Sequence, residues 1–229
     1  MEDIDEAYSI FSREVYPDGG SVMCSIHDVF GGFEGGHHNC LGCNFADATS
    51  WIQNFLATAV ENGSESRQEF FFDYLLKLYL LVERFYIVFE IIGLPLEYRC
   101  RHFSTFQHVH KWANFIKHPK SFLLVHHPQY FMENEKHPDV PFISSEFGVI
   151  IDQGFVDNYY SGPEKNSKLH QLLTNKKDIA VVFPNVVDVT TEFCSCIHKF
   201  IDVIRNNEVY REVLKSRTTY DNFFEEDGE

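Results

Sequence analysis

Arg67-Gln68-Glu69-Phe70-Phe71-Phe72-Asp73-Tyr74-Leu75-Leu76-Lys77-Leu78-Tyr79-Leu80-Leu81-Val82-Glu83-Arg84-Phe85-Tyr86-Ile87-Val88-Phe89-Glu90-Ile91-Ile92 is the stretch on which the fold turns. It is apolar for most of its length and at first glance resembles a membrane span. Asp73, Lys77, Glu83, Arg84 and Glu90 interrupt it, and charges near the centre of a bilayer are costly. The stretch therefore predicts a buried core helix. Ser64 or Ser66 can open that helix, and Gly93 with Pro95 punctuates its end. The link Gly93-Leu94-Pro95 is so tight that the next helix, expected over Leu96 to His118, should run antiparallel beside the first.

On this second helix, at about 100° per residue, Phe103, Phe106, Val109, Ala113 and Ile116 share one arc. Arg101, His108, Lys111, Asn114 and His118 fall on the opposite side. Pro119 ends the run, because the residue before a proline is pushed out of the helical region. The pairing predicts that Phe70, Leu78, Phe85, Phe103, Phe106 and Val109 are buried between neighbours.

Upstream, residues 1–16 suit a short helix ended by Pro17-Asp18-Gly19-Gly20. Asp47 or Thr49 can cap a further helix reaching about Asn62, with Asn62-Gly63 as its stop. Downstream, Phe122–Val125, Phe147–Ile151 and Ile179–Phe183 read as strands separated by polar loops. Thr190 or Thr191 can cap a last helical region to about Leu214, with a break near Asn206-Asn207. The expected fold class is mainly α: an antiparallel helical bundle in one domain over 1–229. A small β-sheet is inserted at 120–185, and a zinc-stabilised loop lies near the N-terminus.

The chain has 229 residues, of which 44% are apolar, including 23 Phe, so it can bury a core without disulfides. Its formal net charge of -15 repels phosphate backbones, which argues against unaided binding to long DNA. A basic protein partner or a local basic patch is compatible with it. The acidic start Met1-Glu2-Asp3-Ile4-Asp5-Glu6 does not resemble a signal peptide and predicts a cytoplasmic protein. In that setting the six cysteines are thiols or metal ligands rather than disulfides.

Residues 17–47 are rich in Gly, His and Cys and show no period. Cys24-x2-His27 and Cys40-x2-Cys43 form two close ligand pairs joined by a Gly-rich loop. Each pair can chelate from one turn, so the set predicts a structural zinc site. His37 or His38 can replace His27. The alternative is a loop with incidental Cys and His. Cys194-x-Cys196-x-His198 reads as small buried side chains; a Cys–His nucleophile would need an oxyanion hole that the sequence does not display. His126, His127 and His137 lie in turns. No P-loop, GxGxxG, GxSxG or HExxH pattern is present.

Lys111, Asn114 and His118, at i, i+3 and i+7, lie within roughly 60° of each other on the polar side of their helix. Such a row can hold an anion and move a proton. Two antiparallel helices carrying a polar motif that ends in His resemble the HEPN superfamily of small α-helical proteins, many of them dimeric ribonucleases of toxin–antitoxin and antiphage systems. That motif is Arg followed by four to six residues and His, often with Asn directly after the Arg. Asn114-Phe115-Ile116-Lys117-His118 matches its second half, with Ala113 in the Arg position, and Arg101-x6-His108 falls within the broad spacing. The resemblance covers about residues 48–118.

It implies metal-independent RNA cleavage through attack by a ribose 2′-hydroxyl. His118 would be the general acid or base, Lys111 or Arg101 would stabilise the phosphorane charge, and Asn114 would orient the phosphate. It also implies a homodimer, or a protein partner that supplies the missing cation. On the alternative reading, Lys111, Asn114 and His118 form a solvated face, with His118 capping the last turn. The chain would then be a non-enzymatic, acidic, zinc-stabilised subunit that docks on a basic partner.

Overall fold

The computed structural model describes residues 4–15, 41–62, 67–117, 149–160 and 179–215. They form α1 (Ile4–Val15), α2 (Leu41–Asn62), α3 (Arg67–Ile91), α4 (Leu96–His102), α5 (Ser104–Lys117), β1 (Val149–Ile151), α6 (Gln153–Tyr160), β2 (Ile179–Val181), α7 (Val186–Arg205) and α8 (Glu208–Lys215). The fold is mainly helical. No helix among the described residues is long and apolar enough to cross a membrane. The chain divides into two compact units, one comprising residues 1–106 and 189–229 and the other residues 107–188.

In the first unit α3 is the central helix, and aromatic contacts give the direction of its neighbours. Phe55 of α2 stacks on Phe70 of α3 at 5.1 Å, while Phe45 meets Phe85 at 5.1 Å, so α2 and α3 are antiparallel. Phe89 meets Phe103 at 5.0 Å and Phe85 meets Phe106 at 5.1 Å, so the chain after the turn also runs back along α3. α7 lies parallel to α3: Tyr74 bonds Thr190 near one end, and Phe89 meets Phe200 at 4.8 Å further along. Phe11 of α1 closes the cluster on Phe45, Phe85 and Phe200. Leu78, Phe85, Phe103, Phe106 and Val109 are buried as the sequence predicts, and Phe70 is half-buried.

The turn after α3 shows why Gly93 is there. Its φ is +65°, a left-handed conformation that a side chain disfavours. Its N–H donates to Glu90 O at 2.9 Å, and the Leu94 N–H donates to Phe89 O at 2.8 Å. This paired closure satisfies the last carbonyls of α3, and buried Leu94 packs beneath it.

Three boundaries differ from expectation. The helix expected over Leu96–His118 is two helices, interrupted at Phe103 with φ -123° and ψ 45°. The bend lets Phe103 enter the aromatic cluster while Phe106 remains in it, and Arg101 consequently does not share a helix with His108, Lys111 and Asn114. α2 begins at Leu41, ahead of the expected caps Asp47 and Thr49, because Phe45, Ala48 and Ile52 already form a buried helical face. α7 begins at Val186, where the Asn185 side chain accepts the Val187 N–H at 2.8 Å. Thr190 lies inside that helix and is buried. The break between α7 and α8 falls at Asn206 and Asn207, and Asn207 caps α8 by accepting the Tyr210 N–H at 3.2 Å.

In the second unit β1 and β2 pair in parallel, with Val149 opposite Ile179, Ile150 opposite Ala180 and Ile151 opposite Val181. Parallel pairing requires a crossover, and α6 lies in the connecting segment. Asp152 opens α6 by accepting the Phe155 N–H at 2.8 Å. The expected strand Phe122–Val125 lies outside the described residues.

Candidate functional site

Of the predicted polar row, Lys111 and Asn114 lie on α5, and both are engaged. Lys111 Nζ donates to Asp157 Oδ1 of α6 at 2.7 Å. His108 Nε2 lies 3.9 Å from Asp157 Oδ2, too far for a hydrogen bond and close enough for attraction when the imidazole is protonated. One turn along, Trp112 Nε1 donates to Gln153 Oε1 at 2.8 Å. α5 and α6 are thus joined by a clasp in which i, i+3 and i+4 positions of α5 meet Gln153 and Asp157, themselves one turn apart.

The electrostatics of the clasp follow from Asp157. Partial burial pushes its carboxyl up, but the Lys111 hydrogen bond, the neighbouring Gln153 amide and the charges of Lys111 and His108 outweigh this. The net pKa lies below the ordinary value. Asp157 therefore stays ionised at neutral pH and is a poor general acid. The Lys111 charge is answered within the chain, so a phosphate approaching Lys111 would compete with a carboxylate already 2.7 Å away. Asn114 is also engaged: its amide nitrogen lies 3.2 Å from both ring nitrogens of His110.

The other predicted positions fall elsewhere. Ala113, in the Arg position of the motif, is fully buried, a place where an arginine would need a paired anion. Arg101 is exposed on α4. His118, Cys24, His27 and Cys40 lie outside the described residues, and Cys43 is in the first turn of α2. No cluster of three or more His, Cys, Asp or Glu side chains suited to a metal occurs among the described residues. Cys194 and Cys196 are buried on α7; burial raises the Cys196 thiol above its ordinary value against a hydrogen bond from Thr105, which keeps it protonated and inert.

Asp157, Gln153 and His110 were not singled out from the sequence. Only His110 carried a signal, as the i-4 neighbour of Asn114. Asp157 is one of 34 acidic residues and lies 46 positions from Lys111. The chain matches no family model, no curated protein and no solved structure.

Proposed function

We propose that this chain is a degenerate relative of the HEPN ribonucleases that works by binding, docking its acidic surface on a basic protein partner of a bacterial defence or toxin–antitoxin module. The observation that supports this reading is the Lys111–Asp157 pair at 2.7 Å, which commits the cation of the polar row to a carboxylate of the same chain. Phosphoryl transfer without a metal needs a cation aimed at the developing charge. Buried Ala113 supplies none. The net charge of -15 favours a basic partner over a polyanion. Structural zinc at Cys24, His27, Cys40 and Cys43 belongs to the same reading; metal analysis of the folded protein should return about one equivalent.

Catalysis of RNA cleavage is the second reading, favoured by one feature: a carboxylate beside the His108 imidazole is an arrangement that can orient a general base. Incubating the purified protein with tRNA distinguishes the two. Intact tRNA after prolonged incubation is the expected result. Cleavage that disappears on His118→Ala or His108→Ala would overturn the binding reading.

A further inference from the structure

None of the seven residues of α4 is buried, although both ends of the helix are anchored. Leu94 before it and Phe103 after it are buried. Arg99 reaches back along the turn: its Nε donates to Leu94 O at 2.7 Å, and its guanidinium lies 5.7 Å from the Phe89 ring centroid. The helix is thus firmly held yet openly displayed. Leu96 is 70% exposed, and Glu97, Tyr98, Cys100, Arg101 and His102 are exposed with it.

The pattern on that surface is specific. Leu96 and Cys100 lie one turn apart on one face, and Glu97 and Arg101 lie one turn apart on the flank beside it. Among the described residues neither Glu97 nor Arg101 forms an ion pair. When two antiparallel helices meet through one face, the same flank of each is brought together. Two copies of α4 in that arrangement place Glu97 of each against Arg101 of the other, with Leu96 of each packed on Cys100 of the other. The stretch is therefore complementary to itself about a two-fold axis.

We propose that α4 is a self-association surface, through which two copies of the chain pair antiparallel with reciprocal Glu97–Arg101 contacts. This does not rest on the HEPN reading. Two helices this short bury less than the roughly 1,200 Å² of a standard interface, so the association is weak and concentration-dependent. The repulsion between two chains of net charge -15 is screened beyond about 8 Å at physiological salt, which leaves the short-range pairs to decide the geometry.

The test uses the full chain, a short bis-maleimide cross-linker and sedimentation velocity over a concentration series. The expected product is a dimer cross-linked through Cys100 that is lost in Cys100→Ser. Arg101→Glu, which opposes two glutamates across the axis, should lower the dimer yield by about tenfold. The exchanged variant Glu97→Arg/Arg101→Glu restores the reciprocal pairs and should recover wild-type yield to within about twofold. All three positions are exposed, and circular dichroism checks that each variant keeps its helix content. Absence of a concentration-dependent dimer, or a yield unchanged by Arg101→Glu, overturns the proposal. A folded exchanged variant that fails to recover also overturns it.

Discussion

In residues 1–106 and 189–229, Phe11, Phe45, Phe85, Phe89, Phe103, Phe106 and Phe200 meet ring to ring and are fully or almost fully buried. In residues 107–188, α5 and α6 meet differently. Phe115 and Phe155 touch at 6.2 Å, but the contact is flanked by the Trp112–Gln153 hydrogen bond and the Lys111–Asp157 pair. Ring packing is tolerant in direction and gains its free energy from area removed from water. A polar clasp contributes less per contact but accepts only one register, since a hydrogen bond fails within about 1 Å of misplacement. The first region is built for stability, and the second for the positions of a few polar groups.

Hollowing the aromatic cluster should have the largest effect. Phe200 carries α7 into contact with Phe11, Phe85, Phe89 and Phe103 and is fully buried. Phe200→Ala should destabilise the protein by about 3–5 kcal/mol. Urea denaturation followed by far-ultraviolet circular dichroism measures it. A loss below about 1 kcal/mol would mean that the cluster collapses around the cavity and that its rings are less specific than their geometry suggests.

A smaller effect is expected from the clasp's neutral hydrogen bond. Gln153→Met keeps the side-chain length and takes away the acceptor of the buried Trp112 indole N–H. The expected loss is about 1–3 kcal/mol, the penalty for removing one partner of a buried pair. Trp112 is buried and Trp51 is 52% exposed, so in a Trp51→Phe background the emission of Trp112 reports this region alone. A red shift of the native emission on Gln153→Met is the accompanying sign. If neither stability nor emission changes, the hydrogen bond does not hold α5 on α6.

The sequence disclosed the first region better than the second, for a physical reason. Helical periodicity reveals which face is buried, and a dense apolar face such as Phe85–Phe89 is legible without knowing its partner. The Gly93 turn and the Asn206-Asn207 break were legible because those residue types have local conformational roles. The interruption at Phe103 was not. Phe103 and Phe106 remain three residues apart and apolar, so the pattern continues across a residue that leaves the helical region. The start of α2 was hidden because the Cys, His and Gly run upstream drew the boundary past Phe45. In the candidate site the polar side that carries His108, Lys111 and Asn114 was legible, but what lies across from it was not. A wheel shows the direction in which Lys111 points and says nothing of a carboxylate 46 positions away.

That carboxylate should contribute least. The Asp157 pKa is depressed in the folded protein by Lys111 and His108 against the upward push of partial burial. A group whose folded pKa lies below its unfolded value adds stability above the unfolded pKa, near 3.9, and loses it as pH falls through the folded value. Asp157 is 35% exposed, so solvent screening holds the pair to the range of surface ion pairs, about 0.2–1 kcal/mol. Lys111→Met should therefore lower stability by no more than that at pH 6, and the deficit should shrink as pH falls through the depressed folded pKa of Asp157. High salt should shrink the difference at pH 6 as well. The measurement is the urea midpoint of Trp112 emission for both proteins at pH 6 and over a series of falling pH. A deficit that stays undiminished to the acid end of the series would show that Lys111 contributes through its methylene stem rather than through charge, and the clasp would then resemble the aromatic region more than its polar atoms imply.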